Sequence, residues 1–233
     1  MTRLWSYGQF CPVAQAAEII AERWTPLVLR ELLLGSRRFN DLQRGVPLMP
    51  PATLAQRLKE LQRAHLVEHR EGEYLLTAGG LALKPIVEAL GAWGHRYAQR
   101  ELGPRDLDPA FLMWDVRRWM VLRALPRRRV VIFFQFPEAP SGKRSWWLVV
   151  DRGQVDLCLK PPGYEIDLTV FSDVRTMTEV WRGTLDATGA IRSGRIRFEG
   201  TRDLSRSFAT WMGLSTFAAG GAGPRPARAP LAR

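Results

Sequence analysis

Apolar residues recur at helical spacing through the first hundred positions and give way to alternating runs after them. Val13, Ala16, Ala17, Ile20 and Trp24 form one stripe, and Pro12 suits a first helical position because its missing N–H would be unpaired there anyway. A first helix is therefore expected from Cys11-Pro12. Thr25-Pro26, a cap residue followed by proline, predicts a second helix that ends at Gly35. A short third helix is expected from Arg38 over Phe39 to Leu42, and a fourth over 52–64. In the fourth, Leu54, Leu58 and Leu61 fall at i, i+4 and i+7. At about 100° per residue the opposite side carries Ala52, Thr53, Gln56, Glu60 and Arg63, with Arg57 and Lys59 on the flanks. Two short strands, 66–70 and 74–76, enclose Glu71-Gly72-Glu73 and predict a tight hairpin. Thr77 then caps a long helix over 78–102 with Leu81, Leu83, Ile86, Val87, Leu90, Trp93 and Tyr97 on it.

The turn-forming stretch Gly103-Pro104-Arg105-Asp106-Leu107-Asp108 marks a linker. Beyond it a helix is expected over 109–125, then strands over 129–136, 145–151, 154–160 and 166–171, linked as an antiparallel meander. Helices over 174–181 and 185–192, a strand over 195–198 and a last helix over 204–214 complete the pattern. The Gly/Ala/Pro/Arg composition from 218 to 233 predicts a disordered tail, because it has too little apolar surface to bury. The predicted organisation is thus residues 1–102, a linker over 103–108, a second domain over 109–217, and the tail. The first domain is an α-rich winged helix-turn-helix with a small β-hairpin wing. The second is an α+β domain with an antiparallel sheet and helices.

Composition narrows the classes. The 233 residues are 46% hydrophobic and 24% charged, as in soluble globular proteins. Cys11 and Cys158 are the only cysteines, too few for a disulfide framework and suited to a reducing cytoplasm. No apolar run reaches about eighteen residues, so no membrane insertion is expected. The start, Met1 to Ser6, has no apolar core of a secretion signal. The net charge of +11 favours a polyanionic partner. Yet the excess is spread over both halves, and the basic residues other than Lys59, Lys84, Lys143 and Lys160 are arginine, a skew that a GC-rich genome also produces.

Specific motifs add more than charge does. Cys11-Pro12-Val13, Arg23-Trp24-Thr25, Leu29-Arg30-Glu31-Leu32 and Gly35-Ser36-Arg37-Arg38-Phe39-Asn40-Asp41-Leu42 stand in order. Leu54-Ala55-Gln56-Arg57-Leu58-Lys59-Glu60-Leu61 and Leu75-Leu76-Thr77 follow. Together, from Cys11 to about Tyr97, they resemble the HxlR-type family of bacterial transcriptional regulators. The resemblance implies a homodimer, built on the long helix and the N-terminal segment, that binds double-stranded DNA as repressor or activator. In such a fold Arg37 and Arg38 are expected on the phosphate backbone, while Thr53 and Gln56 read base edges in the major groove and Arg63 lies on the same face. Arg57 has two readings: a DNA contact, or a brace to a carboxylate such as Asp41. Glu60 repels phosphate, so it lies beyond the contact or accepts from a cytosine amine. The wing is cut short and carries two acids, which leaves His69 and Arg70 as its phosphate contacts. Cys11, at a helix N-terminus where a thiolate is favoured, is a candidate redox sensor, as in several regulators of this type. The competing reading makes it a small residue before Pro12.

In the second half, Asp167-Leu168-Thr169-Val170, Val180-Trp181-Arg182-Gly183 and the run from Ile191 to Gly200 are similar to sterol-carrier-like lipid-binding domains. That resemblance spans about 108–217 and implies an apolar tunnel for a small apolar or acyl ligand. Trp119, Phe133, Trp147, Phe171, Trp181 and Trp211 are the candidate pocket residues, although aromatics more often fill an ordinary core. Two functions compete. One is a dimeric regulator on a pseudo-palindromic operator, modulated by an apolar ligand. The other is an acyl-ligand carrier whose winged helix serves only for dimerisation. An enzyme is not expected: His65, His69 and His95 join no cluster at metal-ligand spacing, and there is no phosphate loop or nucleophile elbow. No cofactor is implied.

Overall fold

The computed structural model describes residues 6–98 and 100–218. The chain divides into two compact units, one up to Trp93 and one from Gly94 onward. The tail expected to be disordered lies, apart from its first residue, outside the described residues.

The first unit opens with α1 (Pro12–Ile20) and α2 (Thr25–Leu33). The two meet in a sharp corner at Trp24, whose φ of 76° is left-handed. Trp24, rather than Thr25, precedes the helix, so Thr25 is already helical and is buried. A short α3 (Phe39–Gly45) leads to α4 (Pro51–Arg63), which begins one residue earlier than its sequence pattern predicts. Leu54, Leu58 and Leu61 of α4 are fully buried against Val28, Leu29, Leu42, Val46 and Met49. His65 in the left-handed region (φ 55°) ends α4, and the Leu66 N–H returns to the Leu61 carbonyl at 3.0 Å.

The wing is β1 (Val67–Arg70) paired antiparallel with β2 (Glu73–Leu76). Its turn is two residues rather than the three predicted. Glu71 and Gly72, with φ of 51° and 77°, make the mirror-image turn that matches strand twist. Thr77 accepts from the Gly80 N–H and caps α5 (Ala78–Ala82). The long helix expected over 78–102 is interrupted at Leu83 and ends early. The second piece is α6 (Lys84–Tyr97). Pro85 is the cause: it has no N–H to give to the Leu81 carbonyl, and its ring crowds that turn.

The second unit begins with a turn of tight helix over Pro104–Asp106 and then α7 (Pro109–Trp119), capped by Asp108 through the Ala110 N–H at 2.7 Å. Met120 is extended, so α7 stops short of the predicted 125, and a separate tight turn covers Leu122–Ala124. The strands are β3 (Val130–Gln135), β4 (Ser145–Asp151), β5 (Gln154–Cys158), β6 (Leu168–Phe171) and β7 (Arg197–Gly200). Helices α8 (Val174–Trp181) and α9 (Ala187–Arg192) precede β7, and α10 (Arg202–Arg206) and α11 (Phe208–Trp211) follow it.

The sheet runs β5-β4-β3-β6-β7 and is mixed, not the simple antiparallel meander expected. β3, β4 and β5 are hairpin-linked, but β6 lies parallel to β3 on its far side. The chain over 159–167 must therefore pass across β4 and β3, and its Tyr164 ring lies 4.1 Å from the Arg129 guanidinium. Alternation along the strands divides the side chains between two faces. Val130, Ile132, Phe134, Trp146, Leu148, Leu168 and Val170 face the large core with Met113, Met177, Phe208 and Trp211 from the helices. Val131, Phe133, Trp147, Val149 and Cys158 form a smaller cluster on the other face.

Candidate nucleic-acid interface

The core stripe of α4 fixes which side of that helix is free. With Leu54, Leu58 and Leu61 inward, Ala52, Gln56, Lys59 and Arg63 are exposed, while Thr53 and Glu60 are half-buried. Of the two expected base readers, Gln56 is thus the more accessible. Its amide donates to Glu60 Oε1 at 2.8 Å.

Arg57 is turned into the fold. Its guanidinium pairs with Glu22 at 2.8 Å and with Glu60, and its Nε donates to the Arg23 carbonyl at 3.1 Å. Only 18% of its side chain is exposed. It is a brace, as the second sequence reading had it, but to Glu22 and Glu60 rather than Asp41, which pairs with Arg44. Sequence spacing cannot show this, because Glu22 lies in the α1–α2 corner and meets Arg57 only once the helices pack.

Arg37 and Arg38 sit exposed just before α3. The wing comes to them. The Tyr74 N–H donates to the Arg37 carbonyl at 2.8 Å, and Glu73 places its carboxylate 3.7 Å from Arg37 and 3.9 Å from Arg38. His69 stacks flat on its cross-strand partner Tyr74, with ring centroids 4.3 Å apart. Arg70 is exposed and pairs with Glu68 at 2.5 Å. The wing is thus a compact block with mixed charge, not a basic finger.

Beneath the interface lies a fully buried carboxylate, Glu31. Arg30 Nη2 and Ser36 Oγ donate to it at 2.8 and 3.1 Å, and Arg30 also reaches the Gly45 carbonyl. Gly45 leaves the room for that carboxylate, since a Cβ there would fall 1.9 Å from Glu31 Cδ. This staple ties the end of α2 to the end of α3 and so fixes the turn that presents α4.

Two features lie away from this face. Cys11 precedes α1, and the backbone N–H groups of Ala14 and then Val13 hold its thiol below the usual range. Cys158 moves the other way, raised by burial and then by Asp156. Along α1 and α6 no residue is buried. Ile86, Leu90, Trp93 and Tyr97 of α6 are about half exposed or more. Ile20, Pro26, Leu29, Leu83, Ile86, Val87 and Leu90 line an apolar groove of about 230 Å³ in the same region.

The six aromatics expected to line one pocket do not share one. Phe133 and Trp147 stack on the smaller sheet face, 4.7 Å between centroids, and Phe171 lies on that face with Arg197 5.4 Å from its ring. Trp181 and Trp211 pack on the opposite side, with the main core. Trp119 is buried and belongs to neither cluster. Alternation along β3 and β4 turns Phe133 and Trp147 to one face, whereas Trp181 and Trp211 reach the other from the helices packed on it. Trp211 donates its indole N–H to the Leu204 carbonyl at 2.8 Å, whereas the buried Trp181 Nε1 has no hydrogen-bond partner among the described residues. Among the described residues, no group of three potential metal ligands forms.

A helical core, an amphipathic fourth helix and a two-stranded wing define the class of the first unit, a winged helix-turn-helix. Its relatives agree. The HxlR-like helix-turn-helix family matches residues 19–102. YvaP of Bacillus subtilis, an uncharacterized HTH-type transcriptional regulator, is 31% identical over 113 residues, which is 45% of this chain and 96% of YvaP. An uncharacterized HTH-type transcriptional regulator of Mycobacterium bovis is 37% identical over 99 residues, 40% of this chain and 62% of that protein. This chain therefore spans less than two thirds of the mycobacterial relative. The solved structure of UbiJ-SCP2, a ubiquinone synthesis protein, is 20% identical and covers 56% of this chain and 96% of its own, with a TM-score of 0.31. The chain belongs to the HxlR-like helix-turn-helix family.

Proposed function

We propose that the protein is a dimeric transcriptional regulator that binds a pseudo-palindromic operator in double-stranded DNA. The observation that carries this reading is α4. It buries one leucine stripe and offers Gln56, Lys59 and Arg63 on the other side, a face that suits the major groove. Arg37, Arg38 and Arg70 hold the phosphate backbone, with Gln56 and Thr53 at the bases and His69 at the margin of the wing. The second copy docks through α1 and α6, along which no residue is buried and where Val13, Ile86, Leu90 and Trp93 stay largely exposed. This activity places the protein in the cytoplasm, with the DNA.

Two controls on DNA binding belong to the same reading. The second unit, about residues 109–217, is a sterol-carrier-like effector module for an apolar ligand with a polar head. The unpartnered Trp181 N–H supports it, because a buried donor is costly until an acceptor arrives. Cys11, with a thiol biased toward thiolate, is the redox-sensitive position.

Fluorescence anisotropy tests the core of the proposal. The full chain is titrated against the DNA upstream of its own gene and against a scrambled duplex over a salt series. A preference of about a thousandfold or more is expected for a specific regulator. Equal binding that weakens steeply with salt refutes sequence-specific recognition of that DNA. The acids Glu71 and Glu73 at the wing favour a second reading, an acyl-ligand carrier that uses the winged helix only to dimerise. It predicts fatty-acyl binding with no DNA preference at all.

A further inference from the structure

We propose that Glu60 sets the base preference of α4 by holding a carboxylate against the Gln56 amide nitrogen, which favours the Gln56 carbonyl as the group that meets a base. This rests on the DNA-reading function above. Gln56 and Glu60 stand one helical turn apart, and the Gln56 amide nitrogen donates to Glu60 Oε1 at 2.8 Å. A carboxylate can only accept, so this bond takes one of the two amide N–H groups and leaves the carbonyl and the second N–H facing outward, with a negative charge beside the nitrogen. The other oxygen of Glu60 is engaged as well. Arg57 pairs with Oε2, and Arg57 is itself held by Glu22 and by the Arg23 carbonyl. The carboxylate is therefore held at both oxygens.

The consequence is a change in what glutamine reads. A free glutamine suits adenine, accepting from N6 and donating to N7. Here the carboxylate already takes one of the two donors and lies beside the other. A purine N7 brought to the remaining N–H would place a second acceptor beside a negative charge. The bidentate mode is therefore disfavoured, and so is guanine, which shows two acceptors in the major groove. What remains is single acceptance from an exocyclic amino group, which both adenine and cytosine present there. The base facing Gln56 is thus an amino-bearing base, adenine or cytosine alike.

Selection of bound duplexes from a random library, with the full-length protein, tests this. The wild type is expected to enrich half-sites with one position that admits adenine and cytosine about equally. Glu60→Ala frees the amide and shifts that position toward adenine by at least about fivefold, the scale of one bidentate pair. Gln56→Ala loses the preference at that position. Glu22→Gln removes one partner of Arg57 but leaves the Gln56–Glu60 bond, so its selected base ratio stays as in the wild type. Thermal unfolding checks that each variant folds. A Glu60→Ala ratio unchanged from wild type overturns the proposal, as does the same shift in Glu22→Gln, which would assign the effect to general loosening of α4. If the wild type enriches no sequence at all, the DNA-reading function fails, and this inference fails with it.

Discussion

Replacing Leu90 tests the dimer surface quantitatively. Leu90 lines the apolar groove and is 52% exposed. Burying a whole leucine side chain is worth about 1.5–3 kcal/mol. About half of that is still to be gained, so docking recovers about 0.8–1.5 kcal/mol per protomer. A twofold interface uses the same patch on both copies, which doubles the gain to about 1.5–3 kcal/mol per dimer. Leu90→Ala removes most of it and should raise the dimer dissociation constant by roughly 10- to 150-fold, since each 1.4 kcal/mol is tenfold. Sedimentation equilibrium over a concentration series measures it. Leu159→Ala, 60% exposed but in the second unit and outside α6, is the control and should leave self-association unchanged. Equal dissociation constants for wild type and Leu90→Ala refute the argument, as does a wild type that stays monomeric throughout.

Further outcomes follow from the geometry. Gly45→Ala forces a methyl group against the Glu31 carboxylate, which Arg30 and Ser36 hold in place, and should destabilise the first unit by about 2–3 kcal/mol in urea unfolding. A loss under half that size would mean the carboxylate moves aside. Iodoacetamide near neutral pH should alkylate Cys11 faster than Cys158, because the Ala14 and Val13 N–H groups favour the Cys11 thiolate while burial and Asp156 oppose that of Cys158. Mass spectrometry showing the reverse order would contradict the assigned environments. Asp106 is held below the usual carboxyl range, first by the Arg100 hydrogen bonds and then by the Gly103 N–H. Its contribution to stability is complete above the unfolded value, near about pH 4, and is lost as pH falls through the lower folded value. NMR titration should show a depressed midpoint that Arg100→Gln raises; an unchanged midpoint in that variant would assign the shift elsewhere.

Local patterns specified much of the first unit. The α4 stripe is legible because Leu54, Leu58 and Leu61 are spaced by the turn of the helix itself. The wing is legible because Gly72 tolerates a left-handed backbone between two short strands, although the strands register one residue closer than the composition of the loop suggests. The break before α6 also has a local cause in Pro85, which the continuous apolar spacing from Leu81 to Tyr97 conceals.

The interface is less legible in one particular way. Gln56, Glu60, Arg37 and Arg38 can be picked out by residue type, but their partners cannot. Arg57 reads as a flank of α4, and only the packing of the α1–α2 corner brings Glu22 and the Arg23 carbonyl to it. Glu73 reads as an unwelcome acid at a DNA-facing tip, and the fold sets it between the two arginines that precede α3.

In the second unit the strands themselves were set by alternation of apolar residues. Their order was not. Whether β6 joins β5 or crosses to the far side of β3 depends on which arrangement lets α8 and α11 bury Met177, Phe208 and Trp211 against one sheet face. That is a contest between long-range contacts, and no residue neighbouring β6 in sequence encodes it. The same contest decides that the helices carrying Trp181 and Trp211 cover the face opposite to that of Phe133 and Trp147. Spacing along the chain thus determined most of the elements and the exposed face of α4. Tertiary packing decided the partners of each charge and the side of the sheet each aromatic occupies, because both depend on residues far apart in sequence meeting in space.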